Sequence, residues 1–252
     1  MVDVFILSII QGITEFLPIS SSSHLILISE YLNFENKSLS IDVSLHIGSF
    51  LAVVVYFRKD ILNLTKNKNL FLKIIISSTP LMATGYFLIK FDLINQLRNI
   101  EIIGWTTLIF GILLFISDKF KINNKLEKNF KYKSAMIIGI FQILSLVPGV
   151  SRSGITITGA RFLNFNRFDS AKISFLLSIP ALGAVSIFGL KNVIYSENMN
   201  LSLLNYISIF LSFIISYVTI KYFLNFIKKF NLYIFVIYRV ILGVIILIIS
   251  YL

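Results

Sequence analysis

Six stretches of this chain are long and almost wholly apolar: residues 41–57, 70–89, 100–116, 171–190, 201–222 and 232–252. A helix needs about 20 consecutive apolar residues, with some latitude, to cross the hydrocarbon of a bilayer. A chain of 252 residues with six such runs has too little polar sequence to cover them in water. Its 56% hydrophobic and 14% charged residues, with a mean hydropathy of +0.86, fit a polytopic helical membrane protein and exclude a soluble domain.

The formal net charge of +11 sits in the short connections between the apolar runs. Loop 58–69 carries Arg58, Lys59, Lys66 and Lys68 against Asp60. Loop 117–133 carries Lys119, Lys121, Lys125, Lys128, Lys131 and Lys133 against Asp118 and Glu127, and loop 221–231 carries Lys221, Lys228 and Lys229. Loops 33–40 and 191–200 are nearly neutral. The positive-inside rule places the first three loops in the cytoplasm and the neutral ones outside. Basic residues in this arrangement report topology; with no basic and aromatic strip in a polar region, nucleic-acid binding is excluded. Cysteine is absent, which removes disulfide and thiol chemistry. The opening MVDVFILSII lacks a basic leader region and a small-residue cleavage pattern, so it reads as mature protein.

Two further apolar regions, 2–32 and 134–163, are interrupted by polar sequence. The first contains QGITEFLPISSSSHL at 11–25 and the second PGVSRSG at 148–154. Each reads as a half-helix, a polar turn and a second half-helix. Irregular backbone at membrane depth is tolerated only where protein or water covers it, so both are expected to be re-entrant hairpins that meet in the interior. Pro18 and Pro148 are 130 residues apart, and the same offset carries the first three spans onto the last three. It pairs Ser21 with Ser151 and Ser44 with Ser174. The expected fold is therefore an all-α polytopic membrane protein, with six transmembrane helices plus two re-entrant helical hairpins arranged as an inverted repeat. It forms one integral membrane domain over 1–252: repeat one at about 1–116, a cytoplasmic loop at about 117–133, and repeat two at about 134–252.

The chemistry gathers at the two breaks. Gln11 and Glu15 are four residues apart and share a helix face. Pro18 ends that half-helix, and the serine run caps the next, whose first free N–H groups form an anion-binding end. His24 follows one turn later. In the second break Gly149 and Gly154 permit tight turns, and Arg152 brings a permanent charge that matches phosphate oxygens bidentately. An arginine at the centre of a membrane helix costs about 2.5–3.5 kcal/mol on insertion scales, and a bound anion would offset that cost. Ser20, Ser22, Ser151, Arg152, Ser153 and Gly154 are the expected phosphate contacts.

Each feature alone has a plainer explanation. Serines in membrane helices bond backbone carbonyls. Glu15 and Arg152 could form a purely structural ion pair. His46, alone in its apolar span, reads as structural, and Arg239, some seven residues into the last span, as a side chain snorkelling to the cytoplasmic face. Together, a carboxylate, a histidine, hydroxyls, an arginine and two helix N-termini at one depth describe a phosphate site with room for a divalent cation.

At these residues the chain resembles the undecaprenyl-pyrophosphate phosphatases, also called bacitracin-resistance proteins. QGITEFLPISSSSHL and PGVSRSG are similar to that family's two signature motifs, and the likeness extends to SLHIGSFLAVVVYFRKDI and to FVIYRVILG in the last span. The resemblance implies an inner-membrane enzyme of interlocked inverted repeats that removes one phosphate from undecaprenyl diphosphate, the lipid carrier released by cell-wall polymer synthesis. It implies a divalent cation, Mg2+ or Ca2+, and carries the family's functional residues onto Gln11, Glu15, Ser21, His24 and Arg152. Two positions depart from the family pattern: Gln11 stands where many members have a second carboxylate, and Ser23 where glycine is common. On this reading Glu15, helped by Gln11, holds the cation on the diphosphate. Arg152 and backbone N–H groups stabilise charge on the transferring phosphoryl oxygens. Ser21 is the candidate nucleophile and His24 its base or acid; His24 and water remain open as nucleophiles. The expected surroundings are the bilayer, a site open to the outer side, and an assembly that leaves room for a homodimer. The rival reading is a secondary transporter or flippase gripping a phosphorylated lipid through Arg152. A carrier needs the grip but not a hydroxyl, a base and a cation ligand together.

Overall fold

The computed structural model describes residues 1–31, 38–66, 68–91, 97–122, 124–196 and 202–252. Their secondary structure is helical, with one isolated bridge between Asn124 and Phe165. Six of the helices are long and apolar enough to cross a membrane: α3 (Leu39–Tyr56), α5 (Lys68–Lys90), α6 (Ile100–Asp118), α10 (Arg167–Ser196), α11 (Leu203–Ile227) and α12 (Tyr233–Tyr251). They coincide with the six apolar runs. Residues 33–37 and 197–200 of the two neutral loops lie outside the described residues.

The two interrupted regions are helix–break–helix pairs. In the first, α1 (Val2–Thr14) and α2 (Ser21–Tyr31) pack on each other. Pro18 has no N–H to continue a helix, and Ser20 takes the left-handed conformation with φ 76° before α2 begins. In the second, α8 (Tyr132–Ile143) passes through a 3-10 turn, Leu144–Leu146, and α9 (Arg152–Phe162) packs back on it. Ser151, at φ 71°, repeats the geometry of Ser20. The residues that match in conformation are thus Ser20 and Ser151, one position away from the Ser21–Ser151 pairing that the prolines suggest. Gly149 is a position only glycine can occupy. Its φ is +93°, and a Cβ there would lie 1.9 Å from Thr106 Oγ1.

Small residues let the helices come close. A Cβ on Gly48 of α3 would lie 2.4 Å from Ile209 O of α11, and Ser49 bonds both Ser212 and Ser216 of α11, at 3.1 and 3.0 Å. Such close crossings bring packing and interhelical hydrogen bonds where water supplies no driving force. Beneath the first break, Phe16 packs edge-on against Phe175 of α10, 5.4 Å between ring centroids. Phe175 also meets Phe57 and Phe223, so the residue after Glu15 is held in the largest apolar cluster.

The C-terminal end of α9 is tied to the segment leading into α8. Arg161, fully buried, donates to Asp118 O, Phe120 O and Phe165 O. Asp118 accepts a two-pronged pair from Arg167, at 2.7 and 3.0 Å, and an N–H from Leu232 at 3.3 Å. One buried carboxylate thereby joins the end of α6 to the starts of α10 and α12. Two stretches that read as plain loops contain helices: α4 (Arg58–Lys66) and α7 (Leu126–Asn129). Their charge hides their order from a hydropathy reading. Asp60 of α4 pairs with Lys172 at 2.6 Å, and the Leu126 N–H donates to Asp169 at 3.1 Å.

Candidate active site

Glu15 lies one residue beyond α1, at 7% exposure, and its carboxylate accepts from three directions. Arg152 Nη2 donates to Oε1 at 2.9 Å. Ser21 Oγ donates to Oε2 at 2.7 Å, and Gln11 Nε2 donates to the same oxygen at 3.1 Å. These bonds bring together the last turn of α1, the first residue of α2 and the first residue of α9. The two breaks, remote in sequence, therefore meet at one carboxylate.

Arg152 reaches further. Its Nη1 donates to Ser174 O of α10 at 3.4 Å, and its side chain keeps 11% exposure. Around it, hydroxyls lock the second break. Ser151 Oγ caps α9 by accepting from Gly154 N at 3.1 Å, and Ser153 Oγ donates to Leu17 O of the first break at 2.8 Å. In the first break Ser20 Oγ lies 3.3 Å from Ser22 Oγ and 2.9 Å from Ser23 Oγ; Ser22 is exposed while Ser20 and Ser23 are buried. Of the expected phosphate contacts, Ser153 and the Gly154 N–H thus already bind the two breaks into shape, whereas Ser22 and Arg152 keep accessible surface, as does the nucleophile candidate Ser21.

His24 is placed differently from a base acting on Ser21. Its Nδ1 lies 2.7 Å from Ser20 O, a carbonyl that can only accept, so Nδ1 carries the proton. Its Nε2 is then an acceptor for Tyr238 OH of α12 at 2.5 Å, with the two rings nearly parallel. The ring clamps the left-handed residue before Ser21, while the group hydrogen-bonded to the Ser21 hydroxyl is Glu15.

Two residues read as structural or peripheral in the sequence come to the site. His46 of α3 lies with Nδ1 3.0 Å from Gln11 Nε2. Gln11 Nε2 thus faces both Glu15 and His46, and its buried Oε1 has no partner among the described residues. Arg239 does not snorkel. It is fully buried and hydrogen-bonded to backbone carbonyls of both breaks. Its span is packed against α6, and a water-facing path would require leaving five carbonyls behind. Tyr238 and Ser174 carry no site role in the sequence reading, where Ser174 is only the repeat partner of Ser44 and Tyr238 only part of the family-like FVIYRVILG. The adjacent Tyr-Arg pair inside an otherwise apolar span, within that same stretch, is the signal that marks α12.

In chemical terms the site offers a hydroxyl hydrogen-bonded to a carboxylate, a guanidinium on the same carboxylate, and an amide oxygen without a partner. Among the described residues, no three His, Cys, Asp or Glu side chains gather into a metal cluster.

Comparison with known proteins gives a consistent result. The family model described as bacitracin resistance protein BacA matches residues 4–245. An undecaprenyl-diphosphatase of Pelagibacter ubique (strain HTCC1062) is 52% identical over 252 residues, covering 100% of this chain and 98% of that protein. Proteins of the same name from Saccharophagus degradans and Jannaschia sp. are 42% and 38% identical. Their alignments cover 94% and 98% of this chain, and 93% and 97% of the relatives.

Proposed function

This chain belongs to the bacitracin resistance protein BacA family, and from that premise we propose how its site hydrolyses undecaprenyl diphosphate to the monophosphate carrier. The chain is an undecaprenyl-diphosphate phosphatase, a multi-pass membrane hydrolase. The observation that carries the catalytic reading is the meeting of Ser21 Oγ and the Arg152 guanidinium on the Glu15 carboxylate. A flippase needs only the guanidinium. Purified protein in detergent, given undecaprenyl diphosphate and Mg2+, is expected to release inorganic phosphate. Binding without release, under any divalent cation, would return the carrier reading.

In the proposed reaction Ser21 Oγ attacks the terminal phosphorus. Its proton passes to Glu15 Oε2, 2.7 Å away, as the Oγ–P bond forms and the anhydride P–O bond breaks. Undecaprenyl monophosphate leaves as an anion and needs no proton. Water then attacks the phosphoserine phosphorus as the Oγ–P bond breaks; protonated Glu15 returns its proton to Ser21 Oγ, and the water oxygen and its protons leave as dihydrogen phosphate. Arg152 shifts its fork from Glu15 toward the transferring phosphoryl oxygens and stabilises their charge. His24, pinned between Ser20 O and Tyr238 OH, holds the turn that aims Ser21. The prenyl tail lies between helices, toward lipid.

Gln11 Oε1, buried and without a partner beside Glu15, suits a hard cation such as Mg2+ or Ca2+. Mg2+ is commonly bound through one or two protein carboxylates with substrate phosphates and water, so Glu15 helped by the Gln11 amide oxygen would suffice to hold it. Bound there, it would neutralise charge on the diphosphate. Because Glu15 also receives the Ser21 proton, Glu15→Gln should lower kcat about tenfold or more even at saturating metal, and its residual activity should need about tenfold or more Mg2+ for half-maximal rate. The same variant should weaken Mg2+ binding to protein loaded with a non-hydrolysable diphosphonate, read by calorimetry. An unchanged activation curve and unchanged binding would remove Glu15 from the cation.

We propose that the two helix–break–helix pairs enter the bilayer as re-entrant hairpins of an inverted repeat, with the site open to the outer side. The packing supports two related halves. α1 lies on α11 as α8 lies on α5, and each break has a serine in the left-handed region. The lysines of 117–133 support its cytoplasmic placement. Single cysteines introduced into this cysteine-free chain test the topology. In intact cells, an impermeant thiol reagent should label positions in 33–40 and 191–200 but not in 117–133. Labelling of 117–133 with protection of 191–200 would overturn the arrangement.

A further inference from the structure

Arg239 projects from the middle of α12 and is 0% exposed. Its guanidinium donates to Pro18 O at 3.3 Å in the first break, and to Gly149 O at 2.9 Å and Val150 O at 3.0 Å in the second. It also donates to Thr107 O at 3.2 Å and Thr106 O at 3.5 Å on α6. Among the described residues no carboxylate pairs with it. Glycines make the room. A Cβ on Gly111 of α6 would lie 2.9 Å from Arg239 Cβ, and one on Gly154 would lie 2.9 Å from Arg239 Nη1.

Each broken helix leaves carbonyls that no helical N–H can reach, and at membrane depth there is no bulk water to take them. Capping them separately would need two groups. Arg239 takes carbonyls from both breaks on one planar fork whose donors have fixed spacing. Pro18 is three residues before Ser21, and Val150 two before Arg152. A shift of this one guanidinium therefore displaces the nucleophile and the phosphate ligand relative to each other.

The geometry points to Arg239 as the positioning residue that sets the register between the two breaks, and so between Ser21 and Arg152. Among the described residues its hydrogen bonds go to main-chain carbonyls and to none of the Glu15, Ser21 or Arg152 side chains. The inference rests on the phosphatase reading of the site.

Two variants of the full chain in detergent test it. Arg239→Lys keeps the charge but loses the fork. Gly111→Ala keeps Arg239 intact but pushes its Cβ, from a helix outside the reacting groups. In Arg239→Lys, kcat per folded protein is expected to fall about tenfold or more with KM changed less than about threefold. Hydrogen exchange should accelerate at 16–20 and 147–151 together, while α10 keeps its protection. Gly111→Ala should lower kcat about threefold or more in the same pattern. A residue that only stabilises the fold would lower the melting temperature and leave kcat of the folded fraction unchanged, and that result in either variant overturns the proposal. If the lysine variant does not fold, the alanine variant decides alone. Wild-type protein that releases no phosphate would defeat the phosphatase reading instead.

Discussion

Arg152→Lys should cut phosphate release by more than about tenfold while the protein still inserts and melts cooperatively. Arg152 contacts Glu15 Oε1 through Nη2 and Ser174 O through Nη1, so one rigid plane touches the reacting carboxylate and the wall of α10 together. Lysine would keep the positive charge on a single nitrogen. It could follow the phosphoryl group as a point charge, but could not grip two of its oxygens in one plane after leaving Glu15. A tenfold loss corresponds to about 1.4 kcal/mol of transition-state stabilisation, within the worth of one charged hydrogen bond. Alanine is the less informative change. It strips Glu15 of its ion partner, and breaking a buried pair costs about 3–5 kcal/mol, so lost activity would mix folding with chemistry. The measurement is kcat/KM on undecaprenyl diphosphate, beside a melting curve. Near-normal turnover in the lysine variant would show that a point charge suffices and would rule out bidentate phosphate recognition.

The spans were legible because a membrane helix must be apolar along its whole length, and that pattern is local. The breaks were legible for the same reason: a proline and a serine run inside an apolar segment have few other meanings. Glu15, Ser21 and Arg152 announced themselves as polar groups at a depth where polar groups are expensive. What stayed hidden depends on contacts far apart in the chain. Arg239 looked like a snorkelling side chain, because a sequence does not show that α12 lies against α6 and faces both breaks. Tyr238 meets His24 across more than two hundred residues, and His46 reaches Gln11 from the neighbouring span. The helix α4 was missed for a different reason: its charge, balanced by Lys172 on Asp60, reads as loop. His24 carries the sharpest lesson. Its spacing from Ser21 suggests a serine–base pair. In the structure the one-turn separation instead brings the ring to Ser20 O, while Glu15, six residues before Ser21, takes the hydroxyl across the break.

Ser21→Ala separates the covalent route from every alternative, and its expected effect is the largest: loss of phosphate release by about a hundredfold or more, with diphosphate binding retained. The variant removes a single oxygen. Glu15 keeps Arg152 on Oε1 and Gln11 on Oε2, so the link between the breaks survives. Ser20 keeps its hydroxyl contacts and its carbonyl bond to His24, so the turn survives as well. Alanine is also a good first residue for α2. A non-hydrolysable diphosphonate should therefore bind the variant within about threefold of wild type, because the guanidinium and the helix N-termini remain. A trapping experiment supplies the positive evidence. Wild-type protein given substrate radiolabelled in the terminal phosphate and quenched in acid should carry label on the peptide containing Ser21, and the alanine variant should carry none. Normal turnover in Ser21→Ala would exclude serine as nucleophile. Full loss of turnover without any trapped label in the wild type would make the hydroxyl a relay that aligns an attacking water, with Glu15 still receiving the proton.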